Sequence, residues 1–297
     1  MTIRFNPDLY STVLAGLNIN NRDQQQVLLE LSSGKRVNVP SDDPAANATA
    51  MNIQLQQDQT DQFTQNISSV QGQLQMADST MSSVITFLTQ ALTLGTQSGN
   101  STLSASNRAD ISSQIQAVAT QVMALANTSY QGAYIFAGTA SNAPPYVANP
   151  ASPNGVTYNG NTATNQVEIA QGEKININLP GSQVFTNGSA DVFGALTTLA
   201  QAAQSGTGLS AAIGQLRTAF DHVSAQRAFY GSNLNQLDST QNILAADKVQ
   251  LSSQQNTVVG ADIATAATQL SQVTTARSAL LAAGGKIKAT NLFDYLQ

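Results

Sequence analysis

Hydrophobic residues recur along this chain at alternating steps of three and four, the spacing that places them on one face of an α-helix. The longest series covers residues 209–251, and ten of its thirteen positions are apolar. A helix of that length would extend about 65 Å. The pattern therefore predicts an elongated rod of long antiparallel helices with coiled-coil-like seams.

Four shorter series have the same spacing and cover residues 10–31, 63–91, 111–125 and 259–280. The first has a polar middle, NINNRDQQQ, so we expect this helix to need a partner for stability. Ser106 is predicted to cap the helix that carries the third series. Because both chain ends carry helical series, we predict that helices over about 2–32 and 255–297 lie side by side.

The middle of the chain has a different pattern. SNAPPYVANPASPNG is rich in turn-forming residues, QVEIA and KININL alternate apolar and polar residues, and GVTYNGN has the composition of a further strand. The sequence therefore predicts a mainly α fold with a small β-rich insert. The predicted segments are 1–35 and 255–297 for the terminal helices, 36–139 and 193–254 for the rod, and 140–192 for the insert.

Composition excludes several classes of function. Only 5% of the residues are aromatic, and the net charge of −5 gives no basic stripe for nucleic acid. The absence of cysteine excludes disulfides, thiolate metal sites and cysteine nucleophiles. The first residues lack a signal-peptide pattern, and no apolar run has the length of a membrane-spanning helix. We therefore expect no membrane or nucleic-acid partner and no cleaved signal.

Candidate catalytic and cofactor motifs are weak. His222 is the single histidine and cannot form a typical zinc site alone. The GTGLSA sequence at 206–211 fits a relaxed dinucleotide fingerprint, but a helix-like segment precedes it, which favours a linker and a helix start. GGKIK at 284–288 lacks the other residues of a phosphate-binding loop. We predict a surface histidine, no catalysis, no metal and no cofactor.

Charge and turn residues concentrate in LSSGKRVNVPSDDPAA, residues 31–46. Ser41, Asp42 or Asp43 can cap the following helix, with Pro44 in its first turn. A catalytic carboxylate pair is the alternative, but it would require facing geometry and perturbed environments. Capping is the simpler interpretation.

Two arginines, Arg227 and Arg277, interrupt apolar series. Such a residue can set helix register and partner choice. Its side chain can equally extend to water without a partner. The sequence leaves both interpretations open.

The charged stretch resembles the N-terminal signature of the bacterial flagellin superfamily, in which a Ser-Gly-Lys-Arg loop precedes Ser-Asp-Asp-Pro at the start of a long helix. NRADISSQIQAVATQVMALANTSYQGAYIFAGT resembles the continuation of that domain. YIFAG at 134–138, the APPY that follows it, and the tail KATNLFDYL are most similar to the hook-associated protein 3 branch, the hook–filament junction proteins.

This resemblance implies a structural subunit of the flagellum, located outside the cell at the hook–filament junction. The terminal helices would form the inner layer of a tube, and the insert would face outward. Implied partners are further copies of the chain, a hook-associated protein on the hook side, flagellin on the filament side, and a cytoplasmic export chaperone that holds the C-terminal region. Export would use the flagellar type III apparatus. The alternatives are a short or minor flagellin and, from another class, a secreted adhesin or enzyme with a β binding domain.

The candidates for subunit contacts come from the charged stretch and from the two terminal helices. They are Lys35, Arg36, Asp42, Asp43, Leu17, Val27, Ile263, Leu270, Val273, Arg277, Leu280, Leu292, Phe293 and Leu296. We hypothesise that Lys35 and Arg36 touch a neighbouring subunit and fix its register.

Overall fold

The computed structural model describes the backbone of residues 7–293 and the side chains of residues 11–285. Long helices dominate this part of the chain, and the predicted mainly α class is confirmed. The helices are α1 (Pro7–Ser33), α2 (Pro44–Ser98), α3 (Ala105–Ala126), α4 (Gly181–Val184), α5 (Val192–Ser205), α6 (Leu209–Val259) and α7 (Ile263–Phe293).

The strands form antiparallel hairpins of two strands each. They are β1 (Ser129–Tyr130) with β2 (Ala133–Tyr134), β3 (Tyr146–Ala148) with β4 (Val156–Tyr158), β5 (Gln166–Ala170) with β6 (Glu173–Asn176), and β7 (Thr186–Asn187) with β8 (Ala190–Asp191). The strands predicted from GVTYNGN, QVEIA and KININL appear as β4, β5 and β6. Gly172, with φ of 76°, makes the turn between β5 and β6.

The chain divides into two compact units. Residues up to Gln59 and from Ala246 onward form the terminal unit, and Thr60–Ala245 form the central unit. Helices α2 and α6 contribute residues to both. The five-segment division remains a prediction.

The core of the central unit begins with the predicted apolar face of α2. Its series is buried at every position after Phe63, which is half-buried. The buried members are Ile67, Val70, Leu74, Ala77, Met81, Val84, Leu88 and Ala91. Helix α3 likewise buries its predicted series up to Val122. For these two helices the heptad spacing identified the core correctly.

Helix α6 buries a different stripe in its first turns. The buried residues there are Ala212, Leu216, Ala219 and Val223, whereas Ile213 and Phe220 are half-buried. Small alanine side chains allow closer helix packing than the larger neighbours would. At alternate positions of this segment, the buried residue is therefore the one immediately before the predicted residue.

An aromatic cluster fills the core beneath the hairpins. Tyr146 lies with its ring centroid 5.0 Å from that of Phe193 and 5.9 Å from that of Phe185. Burial raises the pKa of the Tyr146 phenol, so the side chain remains neutral. Tyr230 of α6 is also fully buried, and its hydroxyl accepts a hydrogen bond of 3.3 Å from the Leu179 N–H. The hydrogen bond between Tyr230 and Leu179 fixes the segment that follows β6 against α6.

Of two helix ends predicted from the local sequence, the start of α3 is wrong and the linker after α5 is correct. Helix α3 begins at Ala105, and Ser104 rather than Ser106 caps it, accepting from the Asn107 N–H at 3.1 Å. The prediction for Ser106 is therefore wrong, because the helix extends further toward its N-terminus than the apolar series. Gly206, with φ of 74°, ends α5, so the GTGLSA sequence is the expected linker and helix start.

The side chains of His222 and Arg227 have partners within the central unit. His222 Nε2 lies 2.8 Å from the Gln183 carbonyl oxygen, so the ring is half-buried rather than at the open surface. Arg227 donates from Nε and Nη2 to the two carboxylate oxygens of Asp78 at 2.8 and 3.0 Å. A bidentate pair of this kind favours a role in helix register over a free side chain.

Candidate functional site

The terminal helices α1 and α7 pack against each other in opposite directions. Asn20 donates from Nδ2 to the Val273 carbonyl at 3.0 Å. One turn nearer the start of α1, Gly16 faces Leu280, and a β-carbon on Gly16 would lie 3.6 Å from that side chain. The prediction that the two chain ends carry paired helices is confirmed for the described residues.

Few side chains between these helices are fully buried. Val27 and Ala266 are buried, whereas Leu17, Leu270, Val273 and Leu280 are half-buried. Asn20 is only 8% exposed, and its Oδ1 atom has no hydrogen-bond partner among the described residues. Only two of these six apolar side chains are buried, and a polar atom is left unsatisfied, so the isolated pair has an incomplete core.

The loop between α1 and α2, residues 34–43, is fastened to the junction of α6 and α7. The Arg36 N–H donates to the Val259 carbonyl at 2.7 Å, and the Ala261 N–H donates to the Gly34 carbonyl at 2.9 Å. Gly34 has φ of 68°, a left-handed conformation that ends α1 and favours glycine. We call residues 34–43 the charged loop.

The guanidinium of Arg36 strengthens this attachment. Its Nη2 atom donates to the Val258 carbonyl and to Asp43 Oδ2, both at 3.2 Å. The contacts of Arg36 are therefore intramolecular. Lys35 differs: its side chain is exposed and its ammonium group has no hydrogen-bond or ionic partner in the described part of the chain. Of the two cations, Lys35 is thus the one whose charged group is not engaged by the described residues.

The adjacent aspartates serve two separate backbone segments. Asp43 Oδ1 accepts from the Ala46 N–H at 3.0 Å and caps α2, as predicted. That hydrogen bond, together with Arg36, lowers the pKa of the Asp43 carboxyl. Asp42 Oδ2 instead accepts from the N–H groups of Asn38 and Val39, each at 3.0 Å, and shapes the loop. Both carboxylates thus act on local backbone, and the geometry is that of capping.

Large exposed hydrophobic residues are concentrated in the terminal unit. Ten of the thirteen in the described chain lie there, although the terminal unit contributes only five of the 46 buried hydrophobic residues. The ten are Leu14, Ile19, Leu28, Leu29, Val39, Met51, Leu55, Val249, Ile263 and Leu281. We call these ten side chains the apolar surface of the terminal unit, and such a concentration of exposed apolar side chains suits a region that another molecule covers.

Sequence reasoning found part of this surface. Ile263 is exposed, as a contact residue should be, and Arg277 donates from Nη1 to Gln24 Oε1 at 3.1 Å. The side chains of Leu292 and Phe293, and all of Leu296, lie outside the described residues. The heptad analysis missed Leu28, Leu29 and Leu281, because it selected residues along one face of each terminal helix and these three lie outside that face.

Two possible functions find no support in the described residues. No group of three or more histidines, aspartates and glutamates there could hold a metal ion. Within the same range, no helix combines the length and the apolar character needed to cross a membrane.

Residues 8–141 match the family model of the bacterial flagellin N-terminal helical region. The resemblance to the flagellin superfamily is confirmed. The chain is 29% identical to flagellar hook-associated protein 3 of Salmonella typhimurium over 180 residues, which are 60% of this chain and 55% of that protein. It is also 29% identical to flagellin B of Helicobacter pylori, but over 48% of this chain and 28% of that protein. The chain thus spans about half the length of the hook-associated protein that it matches.

The fold is shared with a flagellar junction protein. A solved structure of that protein from Legionella pneumophila superposes with a TM-score of 0.61 over 72% of this chain and 100% of that one, at 15% identity. At this identity the comparison shows the fold alone. The match to hook-associated protein 3 covers larger shares of both chains than the match to flagellin B does.

Proposed function

We propose that this protein is a structural subunit of the bacterial flagellum and joins the hook to the filament by self-assembly. The observation that carries the proposal is the exposed apolar surface of the terminal unit, built on two terminal helices with an incomplete core between them. Covering that surface with neighbouring subunits would supply the stabilisation that the isolated pair lacks. The similarity to hook-associated protein 3 supports the location at the junction.

Helix α7 adds a second argument for assembly. Between Ile263 and Gly285 it has one charged residue, Arg277, and its exposed side chains are mainly alanine, serine and threonine. A helix that faces water on most sides normally carries many more charges. This composition suits a helix that neighbouring subunits surround.

The proposed partners follow from an open array. Repetition of one chain in such an array requires two different contact faces on each subunit. In our proposal a hook-associated protein lies on the hook side and flagellin on the filament side. The protein acts outside the cell, reaches it through the flagellar type III apparatus, and is held before export by a chaperone that binds its C-terminal region.

The relatives are structural flagellar proteins, which argues against an enzyme. The large aromatic side chains at 136, 146, 185 and 193 are buried in the core, where they are not available as the walls of a binding site. A secreted adhesin or enzyme is therefore disfavoured. The alternative with support is a short flagellin, because flagellin B also matches part of the chain.

Immunogold labelling of intact flagella distinguishes these two functions. We expect label at the boundary between hook and filament, with none along the filament. A strain that lacks the gene is the control for antibody specificity. Label along the whole filament would show that the chain is a flagellin.

Charge reversal in the charged loop separates subunit contact from internal attachment. The substitution Lys35→Glu should impair assembly and leave the helicity and thermal unfolding of the monomer unchanged, because the Lys35 side chain has no internal partner. The substitution Arg36→Glu should lower the unfolding temperature, since it removes the bonds to Val258 and Asp43. Circular dichroism of the monomer and motility of complemented cells measure the two effects.

The two variants provide controls for each other. Normal assembly of the Lys35→Glu protein would exclude a register role for Lys35. Unchanged monomer stability of the Arg36→Glu protein would show that the attachment of the charged loop contributes little.

A further inference from the structure

We propose that Asn187–Gly188, at the tip of the β7–β8 hairpin, is a site of non-enzymatic modification at which the asparagine becomes aspartate or isoaspartate. The hairpin pairs Thr186 with Asp191 and Asn187 with Ala190. Residues 187–189 at its tip are all exposed. This inference concerns the insert and goes beyond the proposed assembly function.

The reaction needs only water and an ordinary buffer base. The backbone nitrogen of Gly188 attacks Cγ of the Asn187 carboxamide, and the base removes the proton from that nitrogen. A C–N bond forms, and the side-chain nitrogen departs as ammonia, which leaves a five-membered succinimide ring. Water then opens the ring at either carbonyl and yields aspartate or isoaspartate. Glycine favours the attack because no β-carbon hinders its nitrogen.

The chain provides internal comparisons, because Asn-Gly also occurs at 154–155 and 159–160. Asn154 is held on both sides of its carboxamide. Its Nδ2 donates to Asp191 Oδ2 at 3.0 Å, and its Oδ1 accepts from Ser152 Oγ at 2.7 Å. The Gly155 N–H is also engaged, donating to the Ser152 carbonyl at 3.0 Å. Neither reacting group is free at this site.

The second comparison site is restrained at its glycine. A β-carbon on Gly160 would lie 2.8 Å from the Ala137 carbonyl oxygen and would overlap the Tyr158 hydroxyl. The Asn159 N–H donates to the Pro145 carbonyl at 2.7 Å, which fixes the preceding backbone. The peptide between Asn159 and Gly160 therefore has little room to rotate into the geometry that ring closure requires.

Asn187–Gly188 lacks these restraints. The carboxamide of Asn187 makes no hydrogen bond to any other described residue, and no atom lies within 4 Å of a β-carbon placed on Gly188. Strands of two residues contribute few ladder bonds, so the hairpin tip should open locally at low cost. Conversion adds one negative charge to the insert. Isoaspartate also lengthens the backbone of the turn and disturbs the pairing of Asn187 with Ala190.

Peptide mapping by mass spectrometry tests the proposal on the full chain, incubated in mildly alkaline buffer. In the folded protein we expect conversion at Asn187 to be roughly tenfold faster than at Asn154 or Asn159, a ratio set by the cost of local opening. In urea the three sites should react at similar rates, because each is an Asn-Gly sequence. The substitution Asn187→Gln should remove the fast conversion and leave the slow sites unchanged.

Two results would overturn the proposal. One is conversion of Asn154 or Asn159 in the folded protein at a rate equal to or above that of Asn187. The other is a rate at Asn187 that rises in urea as much as the rates at the two restrained sites, which would show that the hairpin protects it equally. Both measurements are independent of flagellar assembly.

Discussion

Replacing Leu28 and Leu281 with lysine is expected to abolish assembly while the monomer unfolds as the wild type does. The two side chains are 47% and 54% exposed in the terminal unit, so lysine there reaches water in the monomer. In an assembled array the same positions would be covered. Covering the exposed half of each of the two leucine side chains contributes about 1.5–3 kcal/mol in total, and the new charges would oppose burial further. Motility of complemented cells and sedimentation of the purified protein measure assembly.

The control for this experiment is Ile243→Lys in the central unit. Ile243 is 58% exposed on a long helix, so the chemical change and the exposure match. This variant should assemble normally. If it fails in the same way, or if the double variant assembles, the apolar surface of the terminal unit is not the assembly site.

Truncating Leu74 to alanine is expected to produce the larger loss of monomer stability. Leu74 is fully buried in the series that lines the core of the central unit. Removing its side-chain atoms leaves a cavity between packed helices, and such changes cost about 2–5 kcal/mol. That is a large share of the free energy of unfolding of a domain, about 5–15 kcal/mol. Urea unfolding followed by circular dichroism measures the change.

Leu55→Ala is the matched control, since Leu55 belongs to the same helix but is 60% exposed. Its effect on the free energy of unfolding should lie within about 0.5 kcal/mol. Similar losses for both variants would mean that the buried position of Leu74 contributes no more to stability than the exposed position of Leu55 does. A small loss for Leu74→Ala alone would show that the core closes around the truncated side chain.

The periodicity of α2 and α3 predicted their buried faces because both helices pack along one continuous stripe. In α6 the same reasoning misplaced alternate positions, since Ala212 and Ala219 are buried whereas Ile213 and Phe220 are half-buried. Size complementarity with the facing helix decides between neighbouring residues, and one helix alone does not contain that information.

In the candidate site, too, the sequence pattern predicted some of the residues and missed others. The heptad series identified the residues between α1 and α7, but the apolar residues on their remaining faces have no periodic signal. Leu28 and Leu29 became visible only when the pairing showed which faces it leaves uncovered. All of the candidate subunit-contact residues remain predictions.

The sequence by itself determined the local features: the long helices, the strands of the insert, and the capping of α2 by an aspartate before Pro44. These depend on spacing and on contacts between residues a few positions apart. Only the tertiary structure decided the contacts of Lys35 and Arg36. Arg36 bonds to Val258, 222 residues away, whereas the Lys35 ammonium group has no partner among the described residues. The partners of a charged side chain depend on what the fold brings to it, and adjacent cations can therefore have different surroundings.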